Sequence, residues 1–465
     1  MPPAIASIIY TIGILGLFCL DRDKKTRMSG ALWIPAVWLF LISSRPVSLW
    51  LGMSPNLNAV DATQAYVEGS PIDRNVFFFL LFAALAVLLG RSGRVRPLLR
   101  KNGLILLYFS FCLVSVLWSD YSFVALKRWS KALGDMGMVL IILTESDPLA
   151  ALKRILTRLG FLLFPLSILF TKYYPQIGRR LTMSWTLETT GVTTQKNELG
   201  LDCMMYGVLF LWMLVSVYRE RQDPGRRRRL LAYGTIIAMI IWLLSQCNST
   251  TSIIGLISAG FMMWLASRRP SRKLALVHLL VLAVLGLPVT ALFFDTGGAM
   301  VQVLGKDPTL TGRTDIWSMV LGLHTNPWIG TGFESFWLGS RLNFMRTALP
   351  NFPINEAHNG YVEIYLNLGW AGICFIALLL VAGYKSIISS LRQDPKKGSL
   401  FLGFLICTLF YSFSEAGFRP LTISWFFLLL VIIGASNAVS LATSRRPGRL
   451  RPAMVPTDEK PAYAT

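Results

Sequence analysis

The stretch HNGYVEIYLNLGWAGICFIALLLVAGY, residues 358–384, joins a polar beginning to an apolar run long enough to cross a bilayer. It follows the largest hydrophilic segment of the chain, residues 294–357, and it opens with one of only three histidines. A histidine at the water–membrane boundary, beside Glu356 and Asn359, indicates chemistry at that depth. We therefore expect the active site at the junction marked by His358.

The composition indicates a membrane protein that crosses the bilayer many times. The chain has 465 residues and is 54% hydrophobic, which is too apolar for a soluble protein and too long for a single anchor. Thirteen apolar runs are candidate spans: 3–20, 31–43, 75–90, 103–118, 132–145, 155–171, 199–217, 230–246, 251–266, 274–293, 358–384, 399–414 and 420–440. The sequence therefore predicts an all-α polytopic membrane protein with about 12–13 transmembrane helices.

The net charge of +21 is distributed by loop rather than gathered on one soluble domain, so we expect no nucleic-acid partner. Alternate connections between the spans hold 30 of the 45 Lys and Arg residues, and the intervening connections hold 14. Basic loops remain on the cytoplasmic side of a membrane. This asymmetry predicts a multi-pass protein of the bacterial inner membrane, with residues 294–357 and the active site on the periplasmic face and the C-terminus in the cytoplasm.

We expect four regions along the chain. They are an N-terminal transmembrane bundle (1–293), a periplasmic loop domain (294–357), the C-terminal transmembrane helices (358–440) and a basic, disordered cytoplasmic tail (441–465). The six cysteines fall in or beside apolar runs and show no disulfide or metal spacing. No His/Asp/Glu cluster with ligand spacing is visible on the predicted outer face, so we expect a site without metal or cofactor.

Four sequence blocks carry a family resemblance when they are taken in order. His358-Asn359 is followed after nine residues by Gly369-Trp370-Ala371-Gly372, and it is preceded by a Gly-Arg-Thr-Asp-Ile-Trp block at 312–317 and by a Gly-Thr-Gly turn at 330–332. This ordered set resembles the bacterial O-antigen ligase and polymerase superfamily. Two further stretches, residues 194–200 and 245–252, resemble the exopolysaccharide polymerase branch. An arginine that ligases commonly place near the second stretch is missing here, which favours a polymerase.

The resemblance implies transfer of a glycan from an undecaprenyl-diphosphate-linked oligosaccharide to an acceptor hydroxyl. For a polymerase that acceptor is another lipid-linked repeat unit, whereas a ligase transfers the glycan to the lipid A core. A transporter for a lipid-linked glycan is a third reading, but no internal repeat is visible and the polar residues cluster outside the spans. The expected partners are the lipid-linked donor, membrane lipids, and a polysaccharide export or chain-length protein.

His358 is the candidate catalytic base, and its alternative role is a structural hydrogen bond at the membrane interface. With Asn355 as the N-cap, His358 would lie in the first turn of the next helix, where the positive helix end lowers the pKa of an imidazole. A neutral imidazole beside a bound diphosphate can accept the proton of the acceptor hydroxyl. The block 312–317 is also expected to begin an amphipathic helix.

Arginines suit the diphosphate because a guanidinium can bind its oxygens in bidentate geometry. We therefore expect Arg313 and Arg180 to bind the substrate, with ordinary solvated charges as the alternative. The other candidate substrate-binding residues are Arg179, Lys196, Asn359 and Tyr361, and the alternative for Tyr361 is an ordinary aromatic residue of the membrane interface. The carboxylates of Asp315 and Glu334 could orient these cations, with ordinary loop-surface groups as the more common alternative.

Overall fold

A computed structural model of the chain describes residues 1–21, 29–53, 69–181, 185–222, 224–267, 270–293, 313–323, 325–349 and 354–444. Helices account for most of these residues. In chain order they are α1 (Pro3–Leu20), α2 (Trp33–Ile42), α3 (Val47–Trp50), α4 (Pro71–Gly90), α5 (Ser92–Lys101), α6 (Gly103–Val114), α7 (Ser122–Leu143), α8 (Pro148–Tyr173), α9 (Pro175–Gly178), α10 (Lys196–Arg219), α11 (Arg226–Cys247), α12 (Thr250–Ala266), α13 (Pro270–Phe293), α14 (Arg313–Gly322), α15 (Gly339–Ala348), α16 (Gly360–Gln393), α17 (Pro395–Ser414) and α18 (Ile423–Ser444).

Each of the thirteen apolar runs overlaps one of these helices. Among the described residues, seven helices are long and apolar enough to cross a membrane, namely α1, α4, α8, α10, α11, α16 and α17. Helices α5 and α6, bent by 86° at their junction, would add an eighth span if they cross together. The all-α polytopic class is therefore confirmed, whereas a count of thirteen crossings stays a prediction.

The helices build one large apolar core. Helix α12 packs on α17, α10 packs on α11 and α12, and α16 packs on both α17 and α18. The N-terminal helices are more peripheral: α1 packs mainly on α8 and keeps only Ala6 and Leu17 buried. Lipid can solvate the remaining apolar side chains of such a helix, so this exposure fits a span at the edge of the bundle.

The only described strands form a short antiparallel hairpin between α9 and α10. Strands β1 (Arg179–Leu181) and β2 (Leu187–Thr189) pair so that Arg180 lies opposite Glu188. Parts of three predicted regions lie outside the described residues, namely 22–28, 54–68, 182–184, 223 and 268–269 of the N-terminal bundle, 294–312, 324 and 350–353 of the large loop, and 445–465 of the tail.

The rest of the large loop folds against the beginning of α16. As expected for the block 312–317, a helix begins at Arg313, and α15 follows later in the loop. Their apolar side chains form a second cluster with Phe336, Trp337 and the α16 residues Val362 and Leu366. This cluster ties the segment that precedes His358 to the membrane helix that follows it.

The chain is not helical at Gly369, so α16 consists of two helical segments. The break leaves backbone groups of α16 without hydrogen-bond partners inside the helix. Residues 327–332 of the loop provide these partners. The bonds run from Thr331 N to Leu366 O, Gly332 N to Asn367 O, Trp370 N to Pro327 O and Ala371 N to Trp328 O, at 2.9–3.1 Å. Two of the blocks that define the family resemblance therefore bind each other.

Glycine is required at the centre of this contact. Gly369 has φ +63° and ψ −161°, a conformation that other residues adopt only with strain. A Cβ at Gly369 would lie 2.3 Å from the carbonyl carbon of Trp328. A Cβ at Gly330, where φ is +64°, would lie 2.4 Å from the carbonyl carbon of Asn367.

We predict that Gly369→Ala lowers the free energy of unfolding by at least roughly 1–3 kcal/mol, because it combines backbone strain with a backbone clash. The matched control is Gly234→Ala inside α11, where a Cβ would meet nothing within 4 Å. The control should leave stability unchanged or raise it by up to about 1 kcal/mol. Thermal unfolding of the two purified variants in detergent measures the difference. Equal unfolding temperatures would contradict the requirement for glycine at position 369.

Candidate active site

The carboxylate of Glu415, directly after the end of α17, lies at the centre of a polar network. Its Oε1 accepts hydrogen bonds from Nη2 of Arg313 at 2.7 Å and from Nδ2 of Asn197 at 2.7 Å. Its Oε2 lies 2.8 Å from Nδ1 of His358. Only 6% of the Glu415 side chain is exposed, so these three partners replace most of the water that a carboxylate needs. The beginnings of α10 and α14 and the segment before α16 therefore meet at one residue.

His358 lies just before α16 rather than inside its first turn. The side chain of Asn359 accepts hydrogen bonds from the backbone N–H groups of Tyr361 and Val362 and so caps the helix, which begins at Gly360. The expected cap at Asn355 is therefore wrong. His358 itself has φ +49°, a left-handed conformation, and its ring contacts Glu415 in the segment after α17.

The ionisation of His358 also differs from the expectation. Burial lowers the pKa of His358, but hydrogen bonds to Glu356 at 3.2 Å and Glu415 at 2.8 Å, together with their negative charges, raise it to about 10. The predicted lowering by the helix end is therefore wrong, because two carboxylates in direct contact outweigh a helix dipole. Both contacts use Nδ1, and among the described residues Nε2 has no hydrogen-bond partner.

Arg419 connects this network to the large loop. Its Nε lies 3.2 Å from Oε2 of Glu334, and its Nη1 lies 3.9 Å from Oε2 of Glu356. Of the two alternatives for Glu334, the surface carboxylate is wrong and the contact with a cation is found, because its side chain is only 18% exposed and pairs with Arg419. Asp315, in contrast, is exposed as expected.

The segment that carries Glu415 and Arg419 is held from outside the site by Asp135 of α7. Oδ2 of Asp135 accepts a hydrogen bond from the backbone N–H of Leu421 at 2.8 Å, and Oδ1 accepts one from Nε1 of Trp38 at 2.8 Å. Asp135 is fully buried. A short connection between two apolar helices thus receives a fixed position from the N-terminal half of the chain.

Glu363 positions the chain on the other side of His358. Its carboxylate accepts hydrogen bonds from the backbone N–H of Ala357 and from Nε1 of Trp337. Trp317 of α14 also donates to the carbonyl of Ala357, at 2.7 Å. The residue before His358 is therefore bound through both of its backbone polar groups.

The structure brings together some of the residues expected to bind substrate. His358 and Arg313 share Glu415, and Asn359 caps the helix beside them. Tyr361 packs edge-on against Phe418, with ring centroids 5.1 Å apart.

The other three expected substrate-binding residues lie on or beside the hairpin. Lys196 pairs with Glu188 at 2.5 Å, Arg179 donates to the carbonyl of Thr171 at 3.0 Å, and Arg180 is exposed. None of the described contacts joins Arg179, Arg180 or Lys196 to Glu415.

The sequence analysis did not predict Glu415 as a site residue, and it assigned no role in the site to Asn197. A usable signal was present, since residues 414–420 place a carboxylate and an arginine in a very short connection between two apolar runs. That connection and residues 294–357 belong to the same set of alternate loops, so both were expected on one face. Asn197 lies inside the stretch 194–200 that resembles the exopolysaccharide branch, and it reaches Glu415 directly.

The expectation that the outer face holds no cluster with metal-ligand spacing is wrong. Ligand atoms of Glu356, His358 and Glu415 all lie within 4.8 Å of one another. Arg313 and Arg419 bind two of these carboxylates, so a cation there would compete with two guanidinium groups. Independence from metal stays a prediction.

Comparison with known proteins found a matching family model and a similar protein. Residues 231–377 match the model of the family described as O-antigen ligase, and this range includes both Arg313 and His358. The matched range is about a third of the chain, and this part of the chain resembles the O-antigen ligase family. It is also similar to the exopolysaccharide production protein ExoQ of Rhizobium meliloti (strain 1021), with 24% identity over 316 residues, or 63% of this chain and 67% of that protein.

The matched range and the assembled network overlap only in part. Arg313, Glu334, Glu356 and His358 lie within it, whereas Glu415 and Arg419 follow it and Asn197 precedes it. The network of this chain is therefore completed by residues of α10 and of the connection between α17 and α18, which lie outside the matched range.

We predict that the His358 contacts make stability depend on pH. Because its pKa is raised from 6.5 to about 10 in the folded protein, its contribution is fully present below pH 6.5 and disappears as the pH rises towards 10. His358→Asn should remove that part of the dependence. The measurement is the difference in unfolding temperature between wild type and variant from pH 6 to pH 10, which should shrink with increasing pH. A difference that stays constant would contradict a charged His358 in the folded state.

Proposed function

We propose that the protein is a polysaccharide polymerase, which transfers a glycan from an undecaprenyl-diphosphate-linked donor to a hydroxyl of a lipid-linked acceptor repeat unit. The observation that carries the proposal is the shared contact of His358 and Arg313 with Glu415. It places a candidate proton acceptor and a candidate diphosphate ligand on one buried carboxylate. The similarity to a protein named for exopolysaccharide production supports the polymer product.

In the proposed reaction the acceptor oxygen attacks the anomeric carbon of the donor, and the bond from that carbon to the diphosphate oxygen breaks. The diphosphate leaves on its lipid carrier with the bonding electrons. Only the neutral form of His358, a minor population at neutral pH because the pKa is raised to about 10, can take the acceptor proton, and it does so at Nε2, the ring nitrogen that the described contacts leave open. Glu415 and Glu356 hold Nδ1 and stabilise the imidazolium that forms, so the carboxylates that raise the pKa also strengthen the base.

Arg313 is proposed to bind the diphosphate. Its described contact with Glu415 uses Nη2, and a guanidinium has five N–H donors, so further donors can bind donor oxygens. Arg179, Arg180 and Lys196 remain candidate substrate ligands on the hairpin beside α10. We rank Arg313 above them because it alone of the four contacts the residue that holds His358.

The proposed location is the inner membrane, with the site on the periplasmic face. Its support is the charge asymmetry of the connections together with the position of Glu415 in one of the weakly basic ones. A lipid-linked substrate would then reach the site at the boundary between water and membrane.

A ligase that transfers the glycan to the lipid A core is the second candidate, and the description of the matching family model favours it. The two activities share the donor and differ in the acceptor. Purified protein reconstituted with a lipid-diphosphate oligosaccharide should elongate that oligosaccharide. Transfer only to added lipid A core would assign the ligase activity instead.

We predict that His358→Ala lowers the transfer rate by roughly a hundred-fold or more, the usual scale for removing a positioned base. Arg313→Ala should weaken donor use more than Arg313→Lys, which keeps the charge but loses the bidentate geometry. Arg180→Ala should have a smaller effect than Arg313→Ala. The exposed Arg100, on α5, provides the control Arg100→Ala, which should retain the wild-type rate.

Rates are to be measured on variants that elute as monodisperse protein in amounts comparable with wild type. A folded His358→Ala variant that forms polymer at the wild-type rate would refute the role of His358 as the base. It would leave the histidine as a structural ligand of Glu415.

We predict that transfer continues in the presence of a chelator, because guanidinium groups occupy the carboxylates that a cation would need. The test compares the initial rate in EDTA with the rates after magnesium or manganese is added back. Loss of turnover in EDTA, restored by either cation, would instead assign Glu356, His358 and Glu415 as metal ligands.

A further inference from the structure

A second polar site lies in a cavity of about 370 Å³ between α1, α8, α10 and α11. Its charged lining residues are Lys153, Arg154, Arg158, Arg229, Asp21 and Glu220. The cavity is remote from His358. Asn197, at the beginning of α10, contacts Glu415, whereas Val217, near the end of α10, lines the cavity. At about 1.5 Å per helical residue these positions are roughly 30 Å apart.

The described lining of the cavity has four cationic side chains and two carboxylates. Asp21 already accepts a hydrogen bond from the hydroxyl of Tyr233 at 2.7 Å, and Glu220 lies 3.8 Å from Nζ of Lys396. Neither Lys153 nor Arg158 forms an ion pair within 4.0 Å with a carboxylate of the described residues. An excess of cations in a cavity favours a ligand with negative charge.

Aromatic rings hold Lys153 and Arg158 in place. Nζ of Lys153 lies 4.6 Å from the centroid of the Trp212 ring, and the guanidinium carbon of Arg158 lies 5.7 Å from the centroid of the Trp33 ring. A ring face attracts a cation without using its N–H donors. The two cations are therefore positioned while their hydrogen bonds remain available to an anion.

The cavity also has an apolar wall that borders the edge of the bundle. Phe18 of α1 is 37% exposed and packs edge-on against Phe161 of α8, with ring centroids 5.7 Å apart. The outer surface of α1 consists of exposed apolar residues such as Ile8, Ile12 and Leu15, which only lipid can cover in a membrane. A ligand with an anionic head and an apolar chain would match both the cations and this wall.

We propose that this cavity binds the phosphodiester headgroup of an anionic phospholipid, with its acyl chains running along α1. Basic cavities between membrane helices recognise such headgroups through charge-assisted hydrogen bonds. The site is independent of the proposed glycan transfer, since it lies at the other end of α10. Bound lipid would join α1 to α8, α10 and α11, and so fix a helix that has few protein contacts of its own.

The test measures lipids retained by the full-length protein in detergent, using native mass spectrometry with added phosphatidylglycerol or phosphatidylcholine. Wild type should retain phosphatidylglycerol in preference to phosphatidylcholine. The variant Lys153→Gln/Arg158→Gln should lower the apparent affinity for phosphatidylglycerol by at least about tenfold. The matched control is Arg227→Gln/Arg228→Gln, which removes the same charge from exposed residues of α11 outside the cavity and should bind as wild type does.

A charge-preserving variant, Lys153→Arg/Arg158→Lys, should retain the preference for phosphatidylglycerol and so separates loss of binding from loss of folding. Inorganic phosphate at millimolar concentration should not displace the lipid, because it cannot use the apolar wall. Displacement by phosphate alone would assign the cavity to a free anion and overturn the lipid proposal. An equal loss of phosphatidylglycerol affinity in the cavity variant and in the Arg227/Arg228 control would also overturn the lipid proposal. Binding would then depend on the net charge of the protein and not on the cavity.

Discussion

The burial of Glu415 is the constraint on which the site depends. An ionised carboxylate with little access to water is unstable in a folded protein unless cations and hydrogen-bond donors surround it. Here those groups come from residues that are distant in the sequence, Asn197, Arg313 and His358. Removing any one of them would leave a buried charge partly unmatched. The requirements of one side chain therefore bring three helix beginnings to one place.

The segment from His358 to Gly369 is constrained at both ends by backbone conformation. His358 has a left-handed conformation immediately before the capping residue Asn359, and Gly369 breaks the helix ten residues after the cap. Between them, Glu363 binds the backbone of Ala357. The spacing between the His-Asn block and the following glycine block is thus the length of a short helical segment. The cap at Asn359 fixes its beginning and the break at Gly369 fixes its end. A residue added or removed between Asn359 and Glu363 would rotate Glu363 away from Ala357 by about 100°.

The two polar sites differ in charge balance, and this difference suits different ligands. Around Glu415, the positive charges of Arg313, Arg419 and protonated His358 match the carboxylates of Glu334, Glu356 and Glu415. Such a network can exist without substrate because its charges compensate one another. A bound anion must then replace a carboxylate as the partner of one of these cations. The proposed binding of a diphosphate by Arg313 implies such an exchange. In the cavity at the far end of α10, the described lining has more cations than carboxylates, so an anion can bind there without such an exchange.

The sequence determined the class of the fold and the positions of its main helices, because apolar runs and their lengths are local properties. It also identified the segment with His358 and the helix beginning at Arg313, since both stand out as polar blocks beside apolar ones. Only the tertiary structure decided that Glu415 joins these two residues, that Glu334 is paired rather than free, and that Asn359 rather than Asn355 caps α16. It also reversed the expected pKa shift of His358. That shift depends on Glu356, two positions before His358, and on Glu415, which lies 57 positions further along the chain, and no local pattern encodes a contact over the second separation.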